Sequence, residues 1–350
     1  MTIQDPPATA LPEIPVVPVP EGLGVAQASA QALEERTTTL LDRAAAKYPK
    51  LLISWLDKRA ASWLAQTNNP YRDEIHATQQ VMAKVTDKPG VLAFNLAHLW
   101  GCTAAVVPAR DDGAGMMLVR TLDWPTDGLG RALILATGSG PAGAFTAITW
   151  PGYAGVLTGM APGRFAISLN QAPLPAPRAL FPFYWLKSRL GVFGREGLPP
   201  EHAIRHALEH LEDFEAAARY LAEVPLCMPV IFSIAGPEAG QGRVIERRSA
   251  GPGGPGKTFE TVAPEAVANQ WIGGGDGTPH GIPTSFDSGA RLAGMRGMVF
   301  ADDEALPADW VRKPVLCANT RLAAEMDPAR GQLWAQGYEA GAPVTQRQVV

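Results

Sequence analysis

Cys102 sits between Gly101 and Thr103 at the head of an apolar run, Ala104-Ala105-Val106-Val107. A hairpin signal, Asp111-Asp112-Gly113-Ala114-Gly115, leads to a second run that ends in Arg120-Thr121-Leu122-Asp123-Trp124-Pro125. A cysteine at a strand head, with an arginine and an aspartate one hairpin away, has the parts of a nucleophile with its charges supplied. Two activations fit these residues. A histidine can act as the base, with His280 or His98 as candidates, although neither stands in a recognisable local context. Alternatively Cys102 becomes a new N-terminus, and its own α-amine, of ordinary pKa about 7.7–8.0, serves as the base. That option needs a removable preceding segment and nearby charges to tune the amine. The plain alternative is a buried structural thiol.

Other patterns weigh less. Gly138-Ser139-Gly140-Pro141-Ala142-Gly143 satisfies G-x-G-x-x-G, but a β-branched run ended by Pro151 follows it where a helix is required. A hairpin turn explains it better. Gly251-Pro252-Gly253-Gly254-Pro255-Gly256-Lys257-Thr258 has phosphate-loop spacing, yet two prolines remove N–H groups from the cradle. It reads as a hairpin loop. His202, His206 and His210 lie four apart beside Glu209, and the outer pair, about 12 Å apart along a helix, cannot share an ion. A solvated helical face is expected there. No metal site and no cofactor follow from any of these patterns.

The elements that must position Cys102 come in the order helices, many strands, helices, strands. Residues 25–67 carry helical periodicity until Asn68-Asn69-Pro70 stops it, and a further helix runs from about Tyr71 to Val85. Strands are expected at 102–108, 116–123, 131–137, 144–150, 153–158 and 164–169, then at 228–235, 243–249, 258–262, 315–325 and 331–336. Helices are expected at 182–186 and 200–222. This is an α+β arrangement. Residues 1–24, rich in Pro, Val and Ala, read as an extended or flexible leader.

Composition narrows the class. Of the 350 residues 46% are hydrophobic and 18% charged, enough for a large core. A net charge of −4 offers no field for nucleic acid. No apolar run reaches the roughly 18 residues of a membrane span. Three cysteines, an odd and sparse set, argue against a disulfide framework, and no signal-peptide pattern is present, so a cytoplasmic location is expected.

Over roughly residues 70 to 335 the sequence resembles the acid ceramidase and N-acylethanolamine-hydrolysing acid amidase family of N-terminal-nucleophile hydrolases. The blocks carrying the resemblance are Pro70-Tyr71-Arg72-Asp73-Glu74-Ile75, Gly101-Cys102-Thr103 and Arg120-Thr121-Leu122-Asp123-Trp124-Pro125. They continue with Thr149-Trp150-Pro151-Gly152-Tyr153-Ala154-Gly155-Val156-Leu157-Thr158-Gly159-Met160, Phe165-Ala166-Ile167-Ser168-Leu169-Asn170, Phe183-Tyr184-Trp185-Leu186 and Asp213-Phe214-Glu215-Ala216-Ala217. The resemblance implies a four-layer αββα sandwich with a helical pro-segment. It implies cleavage before Cys102, leaving the helical segment 25–101 in one fragment and 102–350 as the other, the two staying associated as one domain.

By the same resemblance Cys102 is nucleophile and autocleavage residue, and Asp123 holds its freed amine. Arg120 orients the nucleophile and the substrate carbonyl, Asn269 donates to the oxyanion, and Arg291 is the second arginine of the family's Asp-Asp-Arg-Arg block. Arg120 and Asp123 are three apart, so a regular strand puts them on opposite faces, and bringing both to one side implies a bend ahead of Pro125. The family block is reduced here to Asp287-Ser288, and a glycine-rich stretch at 273–281, a candidate lid, is longer than the family's. The implied substrate is an N-acyl amide, such as an N-acylethanolamine or a ceramide-like lipid, with Trp150, Tyr153, Met160, Tyr184 and Trp185 available to line an acyl groove. An acyltransferase on the same scaffold, and a scaffold protein that never matures, are the alternatives.

Overall fold

A computed structural model of the chain describes residues 10–46, 49–86, 90–95, 101–110, 115–173, 196–248, 256–274, 278–281, 287–301 and 306–350. Two β-sheets stack at its centre. The first is ordered β1-β4-β5-β6-β7-β8-β9-β10, from β1 (Val16–Pro18), β4 (Ile134–Gly140), β5 (Gly143–Thr149) and β6 (Thr158–Ala161) to β7 (Phe165–Gln171), β8 (Val230–Ala235), β9 (Gly242–Arg248) and β10 (Lys257–Val262). The second runs β11-β2-β3-β12-β13-β14, from β11 (Glu265–Val267), β2 (Gly101–Pro108) and β3 (Met116–Asp123) to β12 (Thr320–Asp327), β13 (Gln332–Glu339) and β14 (Ala342–Pro343), with β15 (Gln348–Val349) also on β13.

Alternation along β2 decides how the layers lock. Cys102, Ala104 and Val106 enter the core between the sheets, while Ala105 and Val107 enter a second core beneath a helix, α8 (Ser288–Val299). Because both faces are covered, β2, β3 and β12 are buried almost end to end, which is why they read as unbroken apolar runs. On the far side of the first sheet lie α6 (Pro200–His210), against β4 to β7, and α7 (Phe214–Glu223), against β8 and β9. Helix, sheet, sheet, helix is the four-layer order that the sequence leads one to expect.

The amino-terminal helices are α1 (Val25–Ala32), α2 (Glu34–Ala45), α3 (Lys50–Gln66), α4 (Arg72–Met82) and the short α5 (Val91–Phe94). They agree with the periodic stretches read from sequence. The proline-rich opening is extended where described, and from Ile14 it packs: Val16–Pro18 pairs parallel with β4, and Ile14 and Val17 are buried. That part of the expected flexible leader is therefore an edge strand. One strand and one helix expectation also change. The strand expected at 153–158 begins only at Thr158, because the preceding loop backbone is satisfied by a side chain: Asn95 accepts from the Ala154 N–H and donates to the Gly152 carbonyl. The helix expected at 200–222 breaks at Leu211, and Asp213 caps the second piece by accepting from the Ala216 N–H at 2.7 Å.

The first decoy loop is a turn between β4 and β5, whereas 251–255 of the second lie outside the described residues. Gly140 pairs with Gly143, whose φ of +109° suits glycine, and Lys257-Thr258 opens β10 rather than a helix. The three histidines divide: His206 and His210 stack at the surface, but His202 is buried against Asn69 at 2.9 Å, so the expected solvated face holds for only part of the helix. The helix expected at 182–186 lies outside the described residues, as do 96–100 and 111–114.

Candidate active site

β2 and β3 run antiparallel with Gly101 opposite Asp123, Cys102 opposite Leu122 and Ala104 opposite Arg120. Cys102 and Arg120 consequently share the face between the sheets, and both are fully buried. One arm of the Arg120 guanidinium donates to Cys102 Sγ at 2.7 Å. The other arm donates to the Leu157 carbonyl at 2.8 Å and to Thr158 Oγ1 at 2.7 Å, on the opposing sheet. A planar fork held at one end aims its other end, which a lysine cannot do.

Thr103 and Asp123 lie on the opposite face, toward α8. There Arg291 gathers the rest of the cluster: it meets Asp123 Oδ2 at 2.9 Å, donates to the Cys102 carbonyl at 2.8 Å and to Thr103 Oγ1 at 2.7 Å, and donates to Asn269 Oδ1 at 3.1 Å. Asn269 Oδ1 also accepts from the Cys102 N–H at 3.1 Å, while its amide nitrogen donates to the Gln171 carbonyl at 2.9 Å. Thr320 donates to Asp123 Oδ1 at 2.7 Å. The five residues singled out in the sequence thus meet around one peptide unit. β3 keeps its register with β2 through Asp123, its register with β12 shifts opposite Leu122 and Asp123, and Arg291, reaching in from α8, joins Asp123 to Cys102 from the other face.

Burial sets the electrostatics. It pushes the Cys102 thiol up to about 11; Arg120 pulls it down in part, and Asp123 adds to the rise. In the intact chain at neutral pH the group is therefore a thiol. Burial also lowers Arg120, against the pull of Cys102 and Asp123.

Several polar neighbours went unnoticed in the sequence. Thr158 fixes Arg120, Thr320 fixes Asp123, and Ser288 fixes Asn269 by accepting from its backbone N–H at 3.0 Å while donating to Gln270 at 2.8 Å. A lone threonine or serine in an apolar run carries no local sign of such a task. Ser288 occupies the place where the reduced acidic block left a hydroxyl.

Beyond the end of β3 an apolar cavity of about 110 Å³ opens between the amino-terminal helices and the β3–β4 and β5–β6 connections. Trp124, Trp150 and Tyr153 line it, with Trp124 and Trp150 edge to face at 5.6 Å. Met160 is instead part of the core between the sheets, and Tyr184 and Trp185 lie outside the described residues. Trp271 and His280 exchange backbone hydrogen bonds and close the ends of the glycine-rich stretch, of which 275–277 lie outside the described residues. Among the described residues no group of three His, Cys, Asp or Glu side chains is placed to hold a metal.

No protein-family model matches the chain. Among curated proteins it is 29% identical to the N-acylethanolamine-hydrolyzing acid amidase of Rattus norvegicus over 203 residues, covering 57% of this chain and 52% of that protein. It is 34% identical to the acid ceramidase of Mus musculus over 104 residues, 29% of this chain and 25% of the other. The chain spans about half the length of the amidases it matches. A solved structure, the Caenorhabditis elegans N-acylethanolamine-hydrolyzing acid amidase (NAAA) ortholog, is similar at TM-score 0.47 and 18% identity, over 65% of this chain and 93% of that one. Sequence matches reach both kinds of enzyme, and the ordered blocks from Cys102 to Arg291 are similar to those of the acid ceramidase and N-acylethanolamine-hydrolysing acid amidase family.

Proposed function

We propose that the chain cleaves itself between Gly101 and Cys102 and then hydrolyses the carbon–nitrogen bond of N-acyl amides. The observation that carries this reading is the guanidinium of Arg120 at 2.7 Å from Cys102 Sγ, while Asn269 and Arg291 hold the N–H and carbonyl of the same residue. Each polar atom of Cys102 is thereby addressed by a separate group.

In the first step Sγ adds to the Gly101 carbonyl carbon. Collapse breaks the Gly101–Cys102 carbon–nitrogen bond, and the nitrogen takes up the proton lost by the thiol. Water then hydrolyses the thioester, leaving a Gly101 carboxylate, a free thiol and a free α-amine on Cys102. In turnover that amine accepts the thiol proton as Sγ attacks the substrate acyl carbon, and returns it to the departing amine. A second water releases the acid. Asp123, already paired with Arg291 on the adjoining strand, balances the charge of the new amine. Asn269, held beside the Cys102 N–H, donates from its side-chain amide to the oxyanion.

The names of the relatives suggest N-acylethanolamines and ceramides as the substrate class, and the Trp124–Trp150–Tyr153 cavity, which begins one residue after Asp123, supplies an apolar wall. A cytoplasmic location belongs to the same proposal, resting on three cysteines that form no disulfide, and cell fractionation tests it. The decisive experiment is the intact mass of the purified protein. Dividing 37.1 kDa in proportion to 101 and 249 residues gives pieces of about 11 and about 26 kDa. Cys102→Ala should remain one chain. Wild-type protein that stays whole after long incubation at neutral and at mildly acid pH overturns the mechanism.

A further inference from the structure

A second cavity, of about 260 Å³, adjoins the apolar one on the other side of Leu40, which lines both. It lies between α2 and the β3–β4 connection, and its charged lining is Arg36, Arg43 and Arg131, with Glu35 the single carboxylate. Several other arginines face acids closely, as Arg205 meets Glu74 and Glu209, Arg291 meets Asp123, and Arg321 meets Asp127 and Glu339, while Arg164, Arg243 and Arg247 are each held by two or more backbone carbonyls. Arg36, Arg43 and Arg131 form no ion pair among the described residues. Arg36 Nη1 is buried without a hydrogen-bond partner there, and Arg43 leans on the Asp127 carbonyl at 3.5 Å. The loop is shaped to receive Arg43. Gly128 has a φ of +87°, and a Cβ there would collide with the guanidinium.

Three guanidiniums around one cavity repel one another unless an anion joins them, and the planar fork suits carboxylate and phosphate oxygens. The apolar cavity next door, reached across Leu40, gives such an anion a hydrocarbon tail to accompany it. We propose that the pair of cavities binds an amphiphile, its carboxylate or phosphate met by Arg36, Arg43 and Arg131 and its chain lying against Leu40, Leu129 and Trp150. The arginine site goes beyond the amidase reading, whereas the chain would share the apolar cavity offered above to the substrate's acyl group.

Binding rather than activity tests it, so failure of the catalytic proposal leaves the result interpretable. Calorimetry on the full chain uses octanoate, octyl phosphate, octanol and inorganic phosphate as probes. Octanoate or octyl phosphate should bind at least tenfold more tightly than octanol, with affinity falling as salt rises. Whichever is tighter identifies the head group as fatty-acid-like or phospholipid-like. Arg131→Gln, at an exposed position that leaves folding intact, should weaken the anionic probes about tenfold and leave octanol unchanged. Arg36→Gln with Arg131→Gln should bring them to the octanol level, and Leu40→Gln should weaken the octyl probes alone. Equal binding of octanol and octanoate, insensitivity to both arginine variants, or inorganic phosphate binding as tightly as octyl phosphate overturns the proposal.

Discussion

Arg120 and Asp123 differ in what they can lose. Arg120 is clamped at both ends between two sheets, so replacing it removes the Cys102 contact and leaves Thr158 with one fewer partner. Asp123 is exchangeable in shape, and Asp123→Asn tests charge alone: both self-cleavage and turnover should fall, since Arg291 and the new amine lose their counter-ion. Asn269→Ala should lower kcat by about 10²–10³ with little change in KM if it serves the oxyanion. Full activity in either variant removes that residue from the site. The positions of Cys102, Arg120, Asp123, Asn269 and Arg291 were legible because family blocks carry them in order. The face each side chain uses was not, because Arg291 reaches Asp123 from α8 and no strand parity reveals a helix partner 168 residues away.

At the scale of elements, α6 has the second concentration of buried charge. Arg205 is flanked by Glu74 of α4 and by Glu209, and lies over the ring of Tyr71, which donates to Glu209. Beside this satisfied group, Glu201 is buried with one carboxyl oxygen unpartnered, and burial raises it from the usual 4.5 to about 7. The sign follows from linkage. The folded chain holds this proton more tightly than the unfolded one, so stability falls as pH climbs from about 4.5 through about 7 and is level above, a loss of at most about 3 kcal/mol. Glu201→Gln should therefore match wild type near pH 5 and melt a few degrees higher near pH 8. Parallel melting curves across that range would sink this assignment. Burial pushes His202 down to about 3, so this neighbour stays neutral throughout. The helices were readable from period alone, whereas the 153–157 loop was not: its hydrogen bonds come from Asn95, a side chain in another element. Local pattern cannot register a partner so far along the chain.

On the scale of the whole molecule, the proposed cut between Gly101 and Cys102 falls inside a packed body. The first fragment keeps β1 in the first sheet, α4 tied to Arg205, and the Pro12 carbonyl accepting from Gln346 near the far end of the chain. The two pieces should therefore elute together at the size of the uncut chain and separate only in denaturant. Separation in ordinary buffer would show that these contacts do not suffice. No helix among the described residues is long and apolar enough to cross a membrane.

Parallel pairing of β1 with β4 has a consequence for protein quality. Pro15 accepts from the Leu135 N–H, and Val19 donates to the Thr137 carbonyl, so the border of an eight-stranded sheet is sealed by residues that the cut would make a separate polypeptide. Take that polypeptide away, and Leu135 to Thr137 present a bare row of amide groups, a template on which a second molecule can add a strand. Residues 102–350 produced alone should clump through this border. Supplying residues 1–101 in trans should rescue solubility, as a donated strand does, and Val17→Pro in that piece should weaken the rescue.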